Sequence, residues 1–343
     1  MTQTPPAPPL NRGRLRSLAR RGSGWFPTGV TRPVRALAWA SLVLQVVLIG
    51  TGGAVRLTAS GLGCPTWPQC TSDSFVNTPE LGYHGVIEFT NRMLTFVLSV
   101  VVILVFLAVL RNRRERRDLF TLTLVQGLSI PLQAVIGGIS VLTHLNPYVV
   151  GLHFVISILL VVVTTMLVYR AYRGPRGVVT TAPLWFVVTA WVTAVFVAIT
   201  VGFGILTTGS GPHAGDNSDA KNLAPRNGLD PVALQHVHSI PAYVVFGLTF
   251  VLFAAAWIAK DKPRWKSLRR FTAGLLAIEL VQIIVGITQA REGLPIALVN
   301  IHLVLAAILV SLTVGVILSM RGAPVSEERP AANGLGAATQ VHK

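Results

Sequence analysis

The sequence predicts an all-α integral membrane protein with eight transmembrane helices, arranged as two pseudo-symmetric four-helix bundles. Three observations predict it. Of the 343 residues 52% are hydrophobic and only 12% charged, with mean hydropathy +0.61, and a soluble core of that size would need far more charge to cover it. Apolar runs of about 20 residues, the length that crosses a hydrocarbon core, recur along the whole chain. The second half of the chain also repeats the first.

The spans fall in order, with basic residues at every second connection. Span 34–55 follows an acid-free segment carrying Arg12, Arg14, Arg16, Arg20, Arg21, Arg32 and Arg35. Spans 85–110 and 119–142 flank "RNRRERR" at 111–117. Span 149–169 is followed by Arg170, Arg173 and Arg176, and span 184–206 opens the second half. Spans 232–259 and 271–290 flank Lys260, Lys262, Arg264, Lys266, Arg269 and Arg270, and Arg321 follows span 296–320. The remaining loops are nearly free of basic residues. This alternation places both termini in the cytoplasm. The net charge of +16 therefore serves orientation and anionic membrane lipid, and no nucleic-acid partner is implied. Residues 1–33 and 322–343 are expected to be disordered cytoplasmic tails. No cleavable signal-type apolar segment precedes the first span, and "TPPAPP" would interrupt a presequence helix.

Both cysteines of the chain lie in "TASGLGCPTWPQC", Thr58–Cys70. With the termini inside, this loop lies outside, where a disulfide persists. Five residues with two prolines between Cys64 and Cys70 let the chain fold back to join them. A loop staple and a redox pair that exchanges with a partner thiol are both compatible with the spacing.

The repeat aligns "GGAVRLTASG" (52–61) with "GFGILTTGSG" (202–211), and "VIGGISVLTHLNPYVVGLH" (135–153) with "IVGITQAREGLPIALVNIH" (284–302). "IEFTNR" (87–92) falls opposite "LQHVHS" (234–239). The halves are 34–172 and 181–321, each able to enclose a group between its helices. Ionisable residues in membrane helices are costly and mark function. His153 and His302 occupy matching positions, and His238 is in register with Asn91. Two imidazoles from facing helices hold a haem iron by both axial positions, and the second half has that pair in His238 and His302. His236 competes with His238, but residues two apart on a helix point in nearly opposite directions.

"TGGAVRLTASGLGCPTWPQC", "EFTNR", the duplicated glycine-to-histidine segments and "GSGPHAGD" (209–216) resemble the haem A synthase family, in its cysteine-containing bacterial branch, from Arg35 to Met320. The resemblance implies a membrane oxidoreductase that oxidises the ring-D methyl group of haem O to a formyl group, making haem A for cytochrome oxidase. It implies haem b as cofactor in the C-terminal half, ligated by His238 and His302, and haem O as substrate in the N-terminal half, with His153 a metal ligand there. It makes Glu88 the catalytic glutamate. It also implies a haem O-producing farnesyltransferase and cytochrome oxidase assembly factors as partners, and a homo-oligomer is compatible with it.

The chain departs from the family at one point. Where the family's second span carries a histidine three residues after the glutamate, this sequence has Asn91, followed by Arg92. Asparagine is a poor iron ligand, so the second axial ligand in the substrate half is open. His84, four residues before Glu88 on the same face, is either that ligand or an interface residue. Arg92 has two candidate partners, Glu88 and a haem propionate. Glu279 is a second acid inside a span, with no counterpart in the first half. The alternative to the enzyme is a di-haem b-type membrane electron-transfer protein without a substrate of its own, against which Asn91 counts.

Overall fold

The computed structural model describes residues 29–173, 179–180, 182–213, 224–259 and 265–322. Residues 1–28, 323–343 and the end of "GSGPHAGD" lie outside the described residues, and with them nearly all of both predicted tails. Eight helices are long and apolar enough to cross a membrane. They are α1 (Arg32–Leu57), α2 (Gly82–Leu110), α3 (Arg117–Leu142), α4 (Pro147–Tyr172), α5 (Leu184–Ser210), α6 (Pro231–Ile258), α7 (Trp265–Arg291) and α8 (Ile296–Ser319).

The helices run past the apolar spans at polar or aromatic ends; α7 starts at Trp265 rather than Phe271, because hydropathy finds the hydrocarbon-facing stretch and not the interfacial turns beyond it. Proline and caps set several starts. Pro147 opens α4 behind Asn146, whose side chain accepts from the Tyr148 N–H at 3.0 Å. Pro231 opens α6 behind Asp230, which accepts from the N–H groups of Val232 and Ala233; both use the fixed φ of proline at a position whose N–H is spare. At the other end of α6, Arg269 donates to the carbonyls of Ala256 and Ala259, satisfying the last turn. A two-residue antiparallel pairing of Val179–Thr180 with Arg321–Gly322 was not foreshadowed by the sequence pattern.

Each half is a closed ring of four helices: α1, α2, α3 and α4 pack in cyclic order, as do α5, α6, α7 and α8. The halves meet where α1 and α4 face α8 and where α4 touches α5. Small residues bring the helices close there, the usual device where lipid offers no hydrophobic drive. A Cβ on Gly50 would stand 3.0 Å from Val304, and one on Gly53 2.9 Å from Leu303. Thr165 donates to Ser311 (2.8 Å) and Tyr169 to the Leu318 carbonyl (3.1 Å), both from α4 to α8. At the C-terminal end of α1, Arg56 donates to the carbonyls of Thr208, in the last turn of α5, and of His213, just beyond it. Large apolar side chains such as Phe96, Val100, Leu128 and Phe250 point outward, as lipid-facing surfaces require.

The repeat extends to turn conformation. Between α3 and α4, His144 and Leu145 have φ of 50° and 60°; between α7 and α8, Gly293 and Leu294 have 72° and 63°. Leu145 N donates to Ser140 O (2.7 Å) and Leu294 N to Gln289 O (2.8 Å), the same turn made twice. His144 therefore stands where the other half uses glycine, in the left-handed region that suits glycine.

Candidate functional site

In the second half, the imidazoles of His238 (α6) and His302 (α8) face each other with ring centroids 6.3 Å apart and planes at 70°. Nδ1 of His238 donates to the Thr200 carbonyl of α5 at 2.9 Å. That bond fixes the tautomer and leaves Nε2 unprotonated, as a ligand nitrogen must be. A Cβ on Gly204 would come within 3.1 Å of Cε1 of His238, and one on Gly286 within 3.2 Å of Cε1 of His302, so glycine on the neighbouring helix makes room for each ring. Gln282 of α7 donates to the His302 carbonyl at 3.1 Å.

The first half is built alike around one imidazole. A Cβ on Gly137 would stand 3.3 Å from Cε1 of His153, and Gln133 donates to the His153 carbonyl at 3.2 Å and to Ser157 Oγ at 2.7 Å. Gln133 and Gln282 share the spacing that relates His153 to His302. In place of a second imidazole stands Asn91, whose Oδ1 accepts from Thr51 Oγ1 of α1 at 2.7 Å. Thr51 is the α1 counterpart of Val201, the neighbour of Thr200, so both α2 and α6 tie this position to the corresponding turn of the preceding helix. Nδ1 of His153 and of His302 are buried without a hydrogen-bond partner, a state that buried imidazole nitrogens rarely keep.

Glu88 and Arg92 serve the cysteine loop. Cys64 and Cys70 form a disulfide. Glu88 is buried; its Oε2 accepts from Cys64 N–H at 2.7 Å and its Oε1 pairs with Arg92 at 2.6 Å. Arg92 also donates to the carbonyls of Gln69, Cys64 and Thr66. The ion pair with Glu88 that the spacing permits is therefore formed. The Trp67 ring lies against Gly138 of α3, so close that any side chain at 138 would collide with it. The loop is thus pinned to α2 by charge and to α3 by an aromatic wedge.

Three other described histidines have local tasks. His84 Nδ1 bonds Ser60 Oγ (2.8 Å), two turns from Asn91 along α2. His213 Nε2 donates to Leu294 O (2.9 Å). His236 is exposed, with Nδ1 on its own helix at Val232 O. Among the described residues no three His, Cys, Asp or Glu side chains cluster closely enough to hold a metal ion.

A duplicated eight-helix membrane scaffold with paired imidazoles invites comparison with known proteins. The profile of the family described as cytochrome oxidase assembly protein matches residues 35–314. The chain belongs to this family. Among its relatives, a protein named heme A synthase from Listeria welshimeri is 23% identical over 274 residues, covering 78% of this chain and 87% of the relative. A heme A synthase from Listeria monocytogenes is 24% identical with the same coverage. One from Bacillus pumilus is 34% identical over 146 residues, 40% of this chain and 46% of the relative.

In this cytochrome oxidase assembly family member the C-terminal pair of imidazoles has the spacing a haem iron requires. Two imidazole–metal bonds of about 2 Å, plus the two ring radii, put ligating rings about 6 Å apart, which the 6.3 Å between His238 and His302 matches. The glycine-lined ring edges agree with that use, as does Nε2 of His238, which the Nδ1 bond to the Thr200 carbonyl leaves free to ligate. The residues present therefore fit a haem held by two imidazoles.

Sequence reasoning missed Gln133, Gln282, Thr51 and Thr200. The two glutamines carried a usable signal, their shared offset; the other two act across helices and left none.

The disulfide carries an expectation of its own. Without added reductant, mass spectrometry of the membrane-purified family member should find Cys64 and Cys70 linked; free thiols at both would contradict it. Replacing both by serine should lower activity or haem loading only partly, because the loop keeps its Glu88, Arg92 and Trp67 contacts.

Proposed function

We infer that the protein is a haem A synthase: a multi-pass oxidoreductase of the bacterial plasma membrane that converts haem O to haem A by oxidising the ring-D methyl group to formyl. One observation carries the residue-level reading. A single scaffold occurs twice, once with two facing imidazoles and once with one imidazole facing an amide. The C-terminal half (181–321) holds haem b through His238 and His302. The N-terminal half (34–172) takes haem O on His153. Bound haem supplies one-electron iron chemistry. The Thr200 carbonyl and Gln282 set the orientation of His238 and the α8 turn that carries His302, while Gln133 does the same for the turn carrying His153. Glu88 offers Oε1 or Oε2 as a proton acceptor beside the substrate, and its counterpart in the repeat is the neutral, exposed Gln235, which supports chemistry in the first half only. With one imidazole and Asn91, the first half does not favour a second resident six-coordinate haem, the reading an electron-transfer protein would need. The termini are cytoplasmic and the disulfide loop external, supported by the alternation of basic residues. Haem O arrives from a farnesyltransferase, and the product leaves for cytochrome oxidase assembly.

Co-expression with a haem O source, followed by haem extraction and mass spectrometry, should yield the formyl product. Unchanged haem O beside a normally haem-loaded protein would refute the enzyme.

A further inference from the structure

Glu279 lies in the middle of α7, 3% exposed. It is the only acidic residue in α5–α8, and it has no counterpart in the first half. Oε1 accepts from Thr249 Oγ1 of α6 at 2.7 Å, while Oε2 is buried with no partner. Glu279, Gln282 and Gly286 follow the i, i+3, i+7 spacing of one helical face. Gln282 bonds the His302 carbonyl and Gly286 abuts its ring, so the same face carries Glu279 toward the bundle interior. Seven residues separate Glu279 from Gly286, about 10 Å along the axis.

The charges around it are few. On α7 the basic residues are Arg270, Arg269 and Lys266 toward its start, about 14, 15 and 20 Å along the axis, and Arg291 at its end, about 18 Å away. On α6 the titratable groups are His236, His238 and the outward-facing, 61% exposed Tyr243; His238 is about 16 Å along that helix from Thr249. On α8 there is only His302. A negative charge on Oε2 has no basic side chain to balance it on these helices. The positive charge of ferric iron between His238 and His302 is what remains.

We propose that Glu279 is the redox-linked proton site of the C-terminal bundle, taking up one proton when the haem iron between His238 and His302 takes up one electron. This rests on the haem reading above. In the oxidised state ferric iron is balanced by ionised Glu279. One electron, released by oxidation of the substrate methyl or supplied by a chemical reductant, makes the iron ferrous. One proton joins Oε2, and the net charge of the bundle is unchanged. Thr249 holds the other oxygen in both states. The acid thereby removes the cost of placing an unbalanced charge in a low-dielectric interior.

The test is a spectroelectrochemical titration of the haem-loaded protein from about pH 5 to about pH 9. Ionised Glu279 favours ferric iron, so the wild-type midpoint should fall as pH rises. The axial separations of Glu279 from Gly286 and of Thr249 from His238 place the carboxylate about 10 to 16 Å from the two imidazoles, where the interaction is at most on the order of tenfold in the redox equilibrium, which is about 59 mV for one electron. Glu279→Gln should sit higher than wild type by about that amount at the alkaline end and lose that slope, while Glu279→Asp should keep it. Identical midpoints and slopes in wild type and Glu279→Gln overturn the proposal. If Glu279→Gln fails to assemble, Thr249→Val decides: a displaced pH range for the slope supports the role, and an unmoved one refutes it. A wild-type protein without a bis-imidazole haem spectrum would instead refute the haem reading itself.

Discussion

Alanine at His238 or His302 is expected to strip the C-terminal half of its low-spin haem, while alanine at His236 leaves most of it bound. The two rings face each other at 6.3 Å, so a haem held between them as proposed would lose one of its two imidazoles when either is removed, and each ring fills a space that glycine on the next helix keeps clear. His236 points outward and bonds only its own helix. Optical spectra of the purified variants check this. Loss of the haem signal in His236→Ala alone would mean that α6 is turned by about half a turn from the orientation described. A smaller effect, of about 10- to 100-fold in haem affinity, is expected for Gln282→Ala, which frees the α8 turn carrying His302.

The second large effect concerns the first half. His153→Ala and Glu88→Ala should lose nearly all haem A formation, at least about 100-fold, whereas Asn91→Ala retains part of it. The reason is ligation. If His153 is the one imidazole on haem O, as proposed above, its iron would keep one position free of a strong protein ligand, which suits a site that must admit an oxidant and release a product. Asn91→His should convert that iron to a six-coordinate low-spin form, visible by EPR or resonance Raman on protein loaded with haem O. A wild-type spectrum already showing two imidazoles would refute the open position and point to His84. Glu88 needs a further variant, because its carboxylate also holds the Cys64 N–H and Arg92. Glu88→Gln keeps an acceptor for both and removes the charge. If the glutamine variant is as inactive as the alanine variant while the disulfide loop stays protected from proteolysis, the charge matters to the chemistry and not only to the loop.

These expectations come from unequal sources. Hydropathy and the arginine alternation made the eight spans legible, because a bilayer imposes length and charge rules on single segments. The duplicated glycine-to-histidine spacing made the matching positions of His153 and His302 legible, and the register with Asn91 separated His238 from His236. Pairings between helices were not legible. The bonds of Thr51 to Asn91, Thr200 to His238 and Arg56 to Thr208 join residues tens or hundreds of positions apart, and nothing local in the sequence encodes them. Arg92 illustrates the boundary: its spacing from Glu88 was visible, but its three carbonyl partners in the cysteine loop depend on how that loop folds back. The extra turns at helix ends were missed for a different reason, since interfacial residues are too polar for a hydropathy window.

The contact between the halves has the form of a two-fold dimer. The α1–α8 contact has its mate in α4–α5, and α4 meets its own counterpart α8 at the centre, as an isologous interface between identical subunits would. In a true homodimer every substitution is made twice. An asparagine at the position of Asn91 would then remove an imidazole from both bundles at once, and an acid at Glu279 would be planted in both. Covalent linkage of the two copies lifts that constraint. One copy is free to keep its pair of rings and acquire a buried acid, while the other gives up a ring and keeps Glu88, so that division of labour becomes available to a scaffold whose geometry is still symmetric.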